Sequence, residues 1–231
     1  MGIQSNPQLI AFNNWTLRLR SASATASRLL VLIHGLTGDE NSMWVFVRNF
    51  PEDYWIIAPR APYVSQLPDG GYSWWPRTPA ASDSEDEAQG RPDLANLHSA
   101  ASGLLSLIDA FSKENNIQAN RFDLLGFSQG GILANAFALL NPGRINRVGI
   151  LSGYIPSIAE SLIEGQPLNN KRFFVAHGRS DEKVKIDFAR RSVELLEKAG
   201  AEVTFCEDEI GHNVSAHCLR ALEKFYSIKV P

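Results

Sequence analysis

The stretch Arg121-Phe122-Asp123-Leu124-Leu125-Gly126-Phe127-Ser128-Gln129-Gly130 joins two kinds of segment. Arg121 to Leu125 reads as a buried strand, and Ile132 to Leu140, rich in Ala and Leu, reads as a helix. A serine at such a strand-to-helix turn is held in a strained backbone with its hydroxyl exposed, and small flanking residues let the turn close. The helix start beyond it directs free N–H groups at any oxyanion formed there. The Gly-x-Ser-x-Gly string alone is weak, because a plain turn satisfies it; the strand before and the helix after carry the reading. A hydroxyl is a poor nucleophile without a base to take its proton, so the chain must supply one.

Outward from this stretch, strand-like and helix-like runs alternate. Leu29 to Ile33 is continuously apolar, as expected of a central strand covered on both faces. Thr16 to Arg20 alternates and reads as a half-exposed edge strand. Tyr54 to Ala58, Val148 to Leu151, Phe173 to Ala176 and Val203 to Cys206 read as further strands. Helices are predicted around Asn41 to Asn49, Leu94 to Glu114, Asp181 to Ala199 and Val214 to Tyr226. The alternation implies an α/β fold, a mainly parallel central sheet with helices on both faces. With no repeat or linker, residues 1–231 read as a single domain. Only 59–92 breaks the rhythm. It is rich in Pro and Gly and carries an acidic cluster at Asp83, Glu85, Asp86 and Glu87, read as a solvated excursion. Its Tyr72, Trp74 and Trp75 are poor residues to leave in water and are expected to pack on the body, over a site.

At 231 residues the chain is long enough to bury a sizeable core. A net charge of −3, with dispersed basic residues, gives no sign of a nucleic-acid partner. No apolar run approaches the length needed to span a bilayer, and no secretory signal is visible at the start, so a cytoplasmic location is expected. Two cysteines, Cys206 and Cys218, cannot form a disulfide framework and are expected as reduced thiols, with a single disulfide left open.

The base and its orienting acid are found downstream. After the strand ending at Ala176 comes His177-Gly178-Arg179-Ser180-Asp181-Glu182-Lys183-Val184; after the last strand comes Gly211-His212-Asn213. Active groups in doubly wound sheets gather at the carboxyl ends of strands. The order Ser128, Asp181, His212 is that of the α/β-hydrolase triad. Asp181 also has a plain reading as a helix cap, and Glu182 and Asp208 are rival acids. Of the five histidines, His34 and His177 precede glycines at strand ends and read as turn-shaping. His98 and His217 fall in helices, and His212 is freest to reach a serine. The loop His34-Gly35-Leu36-Thr37-Gly38-Asp39-Glu40 follows the second strand. Its Leu36 N–H, with that of Gln129, is the expected oxyanion-hole pair. Its plain reading, a loop whose Asp39 or Asn41 caps a helix, is compatible with that role.

Together these residues resemble the phospholipase/carboxylesterase family of α/β-hydrolases, which includes acyl-protein thioesterases. The resemblance rests on His34-Gly35, Ala58-Pro59-Arg60-Ala61-Pro62, Gly126-Phe127-Ser128-Gln129-Gly130-Gly131, His177-Gly178 with Asp181 and Val184, and Gly211-His212. It runs from about residue 28 to the end. It implies an α/β-hydrolase fold and a Ser-Asp-His hydrolase of esters or thioesters, needing no metal or organic cofactor. Thr37 before Gly38, and Ser73-Trp74-Trp75-Pro76-Arg77 where thioesterase-type members carry Trp-Phe-Asp, look more like the bacterial carboxylesterase branch.

The expected function is therefore that of a serine carboxylesterase acting on short- to medium-chain esters, its small-molecule partner. Trp44, Tyr72, Trp74 and Trp75 are the candidate pocket lining, and no large lid domain is seen in the sequence. An acyl thioesterase or lysophospholipase, an acyl transferase, and a non-catalytic binding protein on the same fold are the alternatives. Natural substrate and oligomeric state are not legible.

Overall fold

The computed structural model describes residues 6–23, 28–76 and 92–228. Strands β1 (Gln8–Phe12), β2 (Trp15–Arg20), β3 (Arg28–Ile33) and β4 (Tyr54–Pro59) come first. A small two-stranded ribbon follows, β5 (Tyr63–Val64) with β6 (Tyr72–Ser73). Then come α1 (Leu94–Glu114), β7 (Phe122–Phe127), α2 (Gln129–Leu140), β8 (Ile145–Leu151), β9 (Arg172–Gly178), α3 (Ile186–Lys198), β10 (Glu202–Asp208) and α4 (Ala216–Ser227). One eight-stranded sheet has the order β1-β2-β4-β3-β7-β8-β9-β10. From β4 to β10 every neighbouring pair is parallel, while β2 runs antiparallel to both β1 and β4.

The period-two geometry of a strand explains why the central runs are continuously apolar. Leu29, Val31 and Ile33 face a core built with α1, α2 and α3, while Leu30 and Leu32 face a second core built with α4 and residues 43–50. Both faces of β3 are therefore dry, and its polar positions are reduced to Arg28 at the rim. Helix α2, almost wholly apolar, is buried around its whole circumference up to Leu139. Helix α1 starts at a capping box, in which Asp93 accepts from the Asn96 N–H and the Asn96 side chain reaches back to Asp93 N–H.

Four expectations are corrected. Thr16–Arg20 lies inside the sheet, because the preceding segment, β1, pairs outside it as the true edge. Only Trp44–Phe46 of the expected helix 41–49 is helical, as a single 3-10 turn; Asp39 takes Asn41 N–H and the Ser42 hydroxyl, holding the approach as a turn. Helix α3 starts at Ile186 rather than at Asp181, whose carboxylate instead ties down the N–H groups of Lys183 and Val184. Cys206 and Cys218 form a disulfide, because the strand carrying one packs against the first turn of the helix carrying the other. The acidic cluster at 83–87 lies outside the described residues.

Candidate active site

The sheet order decides what can meet. β3 and β7 are parallel neighbours with Ile33 opposite Gly126, so the chain leaves both strands side by side. The loop from His34 thereby reaches Ser128; a Cβ added to Gly35 would stand 3.3 Å from Ser128 Cβ. β9 and β10 are likewise in register, Gly178 opposite Asp208, which sets the loops carrying Asp181 and His212 next to one another.

Ser128 occupies φ 52°, ψ −116°, a region L-residues avoid, and its N–H is fixed by the Leu151 carbonyl at 2.8 Å. The turn is tight because α2 begins against the strands. Cβ atoms on Gly126 and Gly130 would fall 2.2 Å from Gly130 O and 2.0 Å from Ile33 O, so both positions require glycine.

His212 Nε2 lies 2.9 Å from Ser128 Oγ, and His212 Nδ1 lies 2.7 Å from Asp181 Oδ2. The imidazole packs on the Phe127 ring, centroids 5.1 Å apart, which in turn stacks on Phe46. Asp181 is buried. Its Oδ1 accepts from Lys183 N–H and Val184 N–H at 2.9 Å each. Burial alone would push its carboxyl up, but hydrogen bonds from His177, His212 and Val184 N–H outweigh that and hold it well below the usual carboxylate range. An ionised Asp181 requires the proton of His212 on Nδ1, which leaves Nε2 as an acceptor facing the serine hydroxyl. The rival acids lie elsewhere: Glu182 is exposed, and Asp208 sits 3.7 Å from His217.

Around the His34 loop, Thr37 N–H donates to Tyr72 O and Gly38 N–H to Gly35 O. Neither Leu36 N–H nor Gln129 N–H has a backbone acceptor in a turn or loop among the described residues. The loop is braced from beneath. His34 Nε2 accepts from Ala61 N–H at 3.0 Å, so its Nδ1 carries the proton and donates to Gly35 O at 2.7 Å. Burial pushes the His34 imidazole down, keeping it neutral for that pair of roles. Glu40, itself buried, receives Arg60 through two bonds, Nε at 2.7 Å and Nη2 at 2.9 Å. That pairing holds the Glu40 carboxyl below its ordinary range. The Gln129 side chain accepts from Trp74 N–H and donates to Ser73 Oγ, tying the start of α2 to β6.

The aromatic residues separate. Trp74 and Trp75, 1% and 2% exposed, are core residues, and Trp74 donates its indole N–H to His34 O at 2.8 Å. Tyr72 is half-buried, bridged to Gly38 and covered by the Arg60 guanidinium. Trp44 donates to Glu40 O and lines a cleft of about 500 Å³ with Arg20, Asn41, Val45, Val47 and Arg48, which includes neither Ser128 nor His212.

Sequence reasoning read His34 as turn-shaping and did not reach the side-chain roles of Glu40, Arg60 and Gln129, or the contact of His177 with Asp181. The signal was there in part: a charged Arg60 between Pro59 and Ala61, directly after a buried strand, calls for a partner.

Residues 16–230 match the family described as Phospholipase/Carboxylesterase. An acyl-protein thioesterase 1 of Emericella nidulans is 29% identical over 217 residues, covering 87% of this chain and 90% of the relative. The esterase YpfH of Escherichia coli is 25% identical over 202 residues, covering 85% and 80%. In structure, a carboxylesterase from Mesorhizobium loti superposes with a TM-score of 0.78 at 20% identity, covering 96% of this chain and 99% of that one.

Proposed function

Since the chain belongs to the phospholipase/carboxylesterase family of α/β-hydrolases and is a carboxylic ester hydrolase, we propose that it works through Ser128, His212 and Asp181 on short- to medium-chain esters. The observation that carries this reading is the continuous relay from Asp181 Oδ2 through His212 to Ser128 Oγ, with both links within hydrogen-bond range. His212 takes the hydroxyl proton as Ser128 Oγ attacks the ester carbonyl. Asp181 holds the tautomer and stabilises the imidazolium. Leu36 N–H and Gln129 N–H receive the charge that develops on the carbonyl oxygen. His212 then returns its proton to the leaving alkoxide, the alcohol departs, and the acyl-enzyme remains. Water, deprotonated by the same imidazole, releases the acid and restores Ser128.

In this reading Tyr72 borders the ester through its tie to the 34–38 loop, and Trp74 shapes the site from behind through His34 rather than by touching substrate. An acyl thioesterase activity is the second reading, favoured by the 29% identity to an acyl-protein thioesterase. Hydrolysis of p-nitrophenyl esters from acetate to palmitate, beside matched thioesters, tests both. Turnover lost by at least about a thousandfold in Ser128→Ala is expected. Ser128→Ala or His212→Ala protein that keeps near-normal turnover overturns the assignment.

A further inference from the structure

Cys206, His217 and Cys218 bring one ligand atom each within 4.8 Å of one another, at the root of the loop that carries His212. Asp208 joins them: its Oδ2 lies 3.7 Å from His217 Nδ1, which is itself 3.9 Å from Cys206 Sγ. The placement follows from local geometry. Cys206 and Asp208 are two apart on β10 and so project on one face, while His217 and Cys218 occupy the first turn of α4. Ser215, the cap of that helix, accepts from Cys218 N–H and so fixes the turn that carries His217 and Cys218.

We propose that, once the disulfide is reduced, these four side chains form a tetrahedral site for a soft divalent cation such as zinc. Zinc bonds of about 2.0–2.3 Å put neighbouring ligand atoms roughly 3.3–3.8 Å apart, close to the His217 spacings already present. The two Cα atoms are 5.7 Å apart, so the sulfurs reach a metal-bridged separation by side-chain rotation with the backbone in place. The pair of sulfurs is the buried floor, and His217 and Asp208, at 70% and 39% side-chain exposure, close the site from the solvent side, giving an entry path. Two thiolates and an imidazole are the ligand types that select zinc over magnesium or calcium.

The chemistry balances. A dithiol reductant gives two electrons and two protons to the Cys206–Cys218 bond and leaves as its own disulfide. The incoming cation then displaces the two thiol protons. In a reducing compartment the cysteines exist as that thiol pair. The ion takes no part in ester chemistry. It holds both ends of the 209–215 loop together in place of the sulfur–sulfur bond.

The test is cobalt(II) titration of the full chain after reduction with a phosphine, with the thiols counted by alkylation and mass spectrometry. Expected are a thiolate-to-cobalt charge-transfer band and tetrahedral d–d bands saturating at one equivalent, displaced by zinc, and absent from the oxidised protein. His217→Ala, which keeps both cysteines and is checked for folding when oxidised, should bind about tenfold or more weakly. Cys206→Ser/Cys218→Ser should show none of these bands. No bands in reduced wild type, equal binding by His217→Ala, or a disulfide that resists the phosphine in the folded protein each overturns the proposal.

Discussion

His177 shares one proton between two acceptors: its Nε2 lies 2.7 Å from the Val184 carbonyl and 3.3 Å from Asp181 Oδ2. Both neighbours are acceptors, so Nε2 carries the hydrogen. The side chain therefore supports the same carboxylate oxygen that His212 binds while closing the Asp181–Val184 turn. His177→Leu removes both bonds and leaves the Val184 carbonyl buried and unpaired. The expected cost is about 1–3 kcal/mol in stability. kcat on a p-nitrophenyl ester should fall while KM stays close to wild type, because Asp181 loses orientation and the substrate loses no contact. Chemical denaturation beside steady-state kinetics checks this, and an unchanged kcat would assign His177 to the fold alone.

The Glu40–Arg60 pair makes a different demand, on the loop that carries Leu36. Arg60→Met strands a buried carboxylate. A loss of about 2 kcal/mol is expected, with kcat falling as the loop loosens. Glu40→Gln/Arg60→Met removes the stranded charge and should recover part of both losses; a double variant as impaired as the single one counts against the brace.

How much of this was legible in the sequence depends on where each residue gets its constraint. β3 and β7 could be read because burial on both faces leaves only Arg28 and Asp123 as polar positions, and α1 was bounded correctly at Leu94 and Glu114 because its apolar period agrees with local signals: Asp93 caps one end, Asn115 the other. β1 was missed because an edge strand needs little hydrophobicity: of Gln8–Phe12 only Phe12 is buried, and the turn at Asn13, with φ 51°, was its one sign. The order Ser128, Asp181, His212 was legible because each follows a strand. The partners of Asp181 and Glu40 were not: Arg60 meets Glu40 only where the loops after β3 and β4 close over one another, and His177 meets Asp181 only because the chain turns back on the end of β9. The disulfide was unreadable for the same reason: a spacing of 12 residues says nothing until β10 and α4 pack.

Acid should expose the Asp181 interactions. Its carboxyl is depressed in the folded protein, so the stabilisation is complete above its unfolded value, near pH 4, and is lost as pH falls through the lower folded value. Asp181→Asn lacks that titration. The stability gap between wild type and Asp181→Asn should be widest at about pH 6 and narrow steadily toward about pH 2. Urea midpoints measured across that range read it directly, and a gap that stays constant would show that other carboxylates carry the acid limb.

The disulfide brackets His212. With 12 residues of separation, chain entropy alone assigns it about 3 kcal/mol. Cys206→Ser/Cys218→Ser, measured without added metal, should therefore lose about that much stability. It should also lose part of its kcat, because the 209–215 loop then has no covalent tie between its two ends and relies on its hydrogen bonds and the Phe127 contact. Stability lost with kcat intact would mean that the Phe127 ring and Asp181 suffice to place the imidazole.

Strain and chemistry can be separated at Ser128 itself. A positive φ at a residue with a Cβ costs on the order of 1–3 kcal/mol, part of which glycine returns through its larger unfolded-state entropy. Ser128→Ala and Ser128→Gly remove the same hydroxyl, but only the second relieves the backbone. Both should be inactive, with Ser128→Gly more stable by about 1 kcal/mol. Thermal and urea denaturation of the two variants side by side checks this. If alanine proves as stable as glycine, the turn is held without measurable strain, and the exposed hydroxyl owes its position to the tight packing of Gly126 and Gly130 alone.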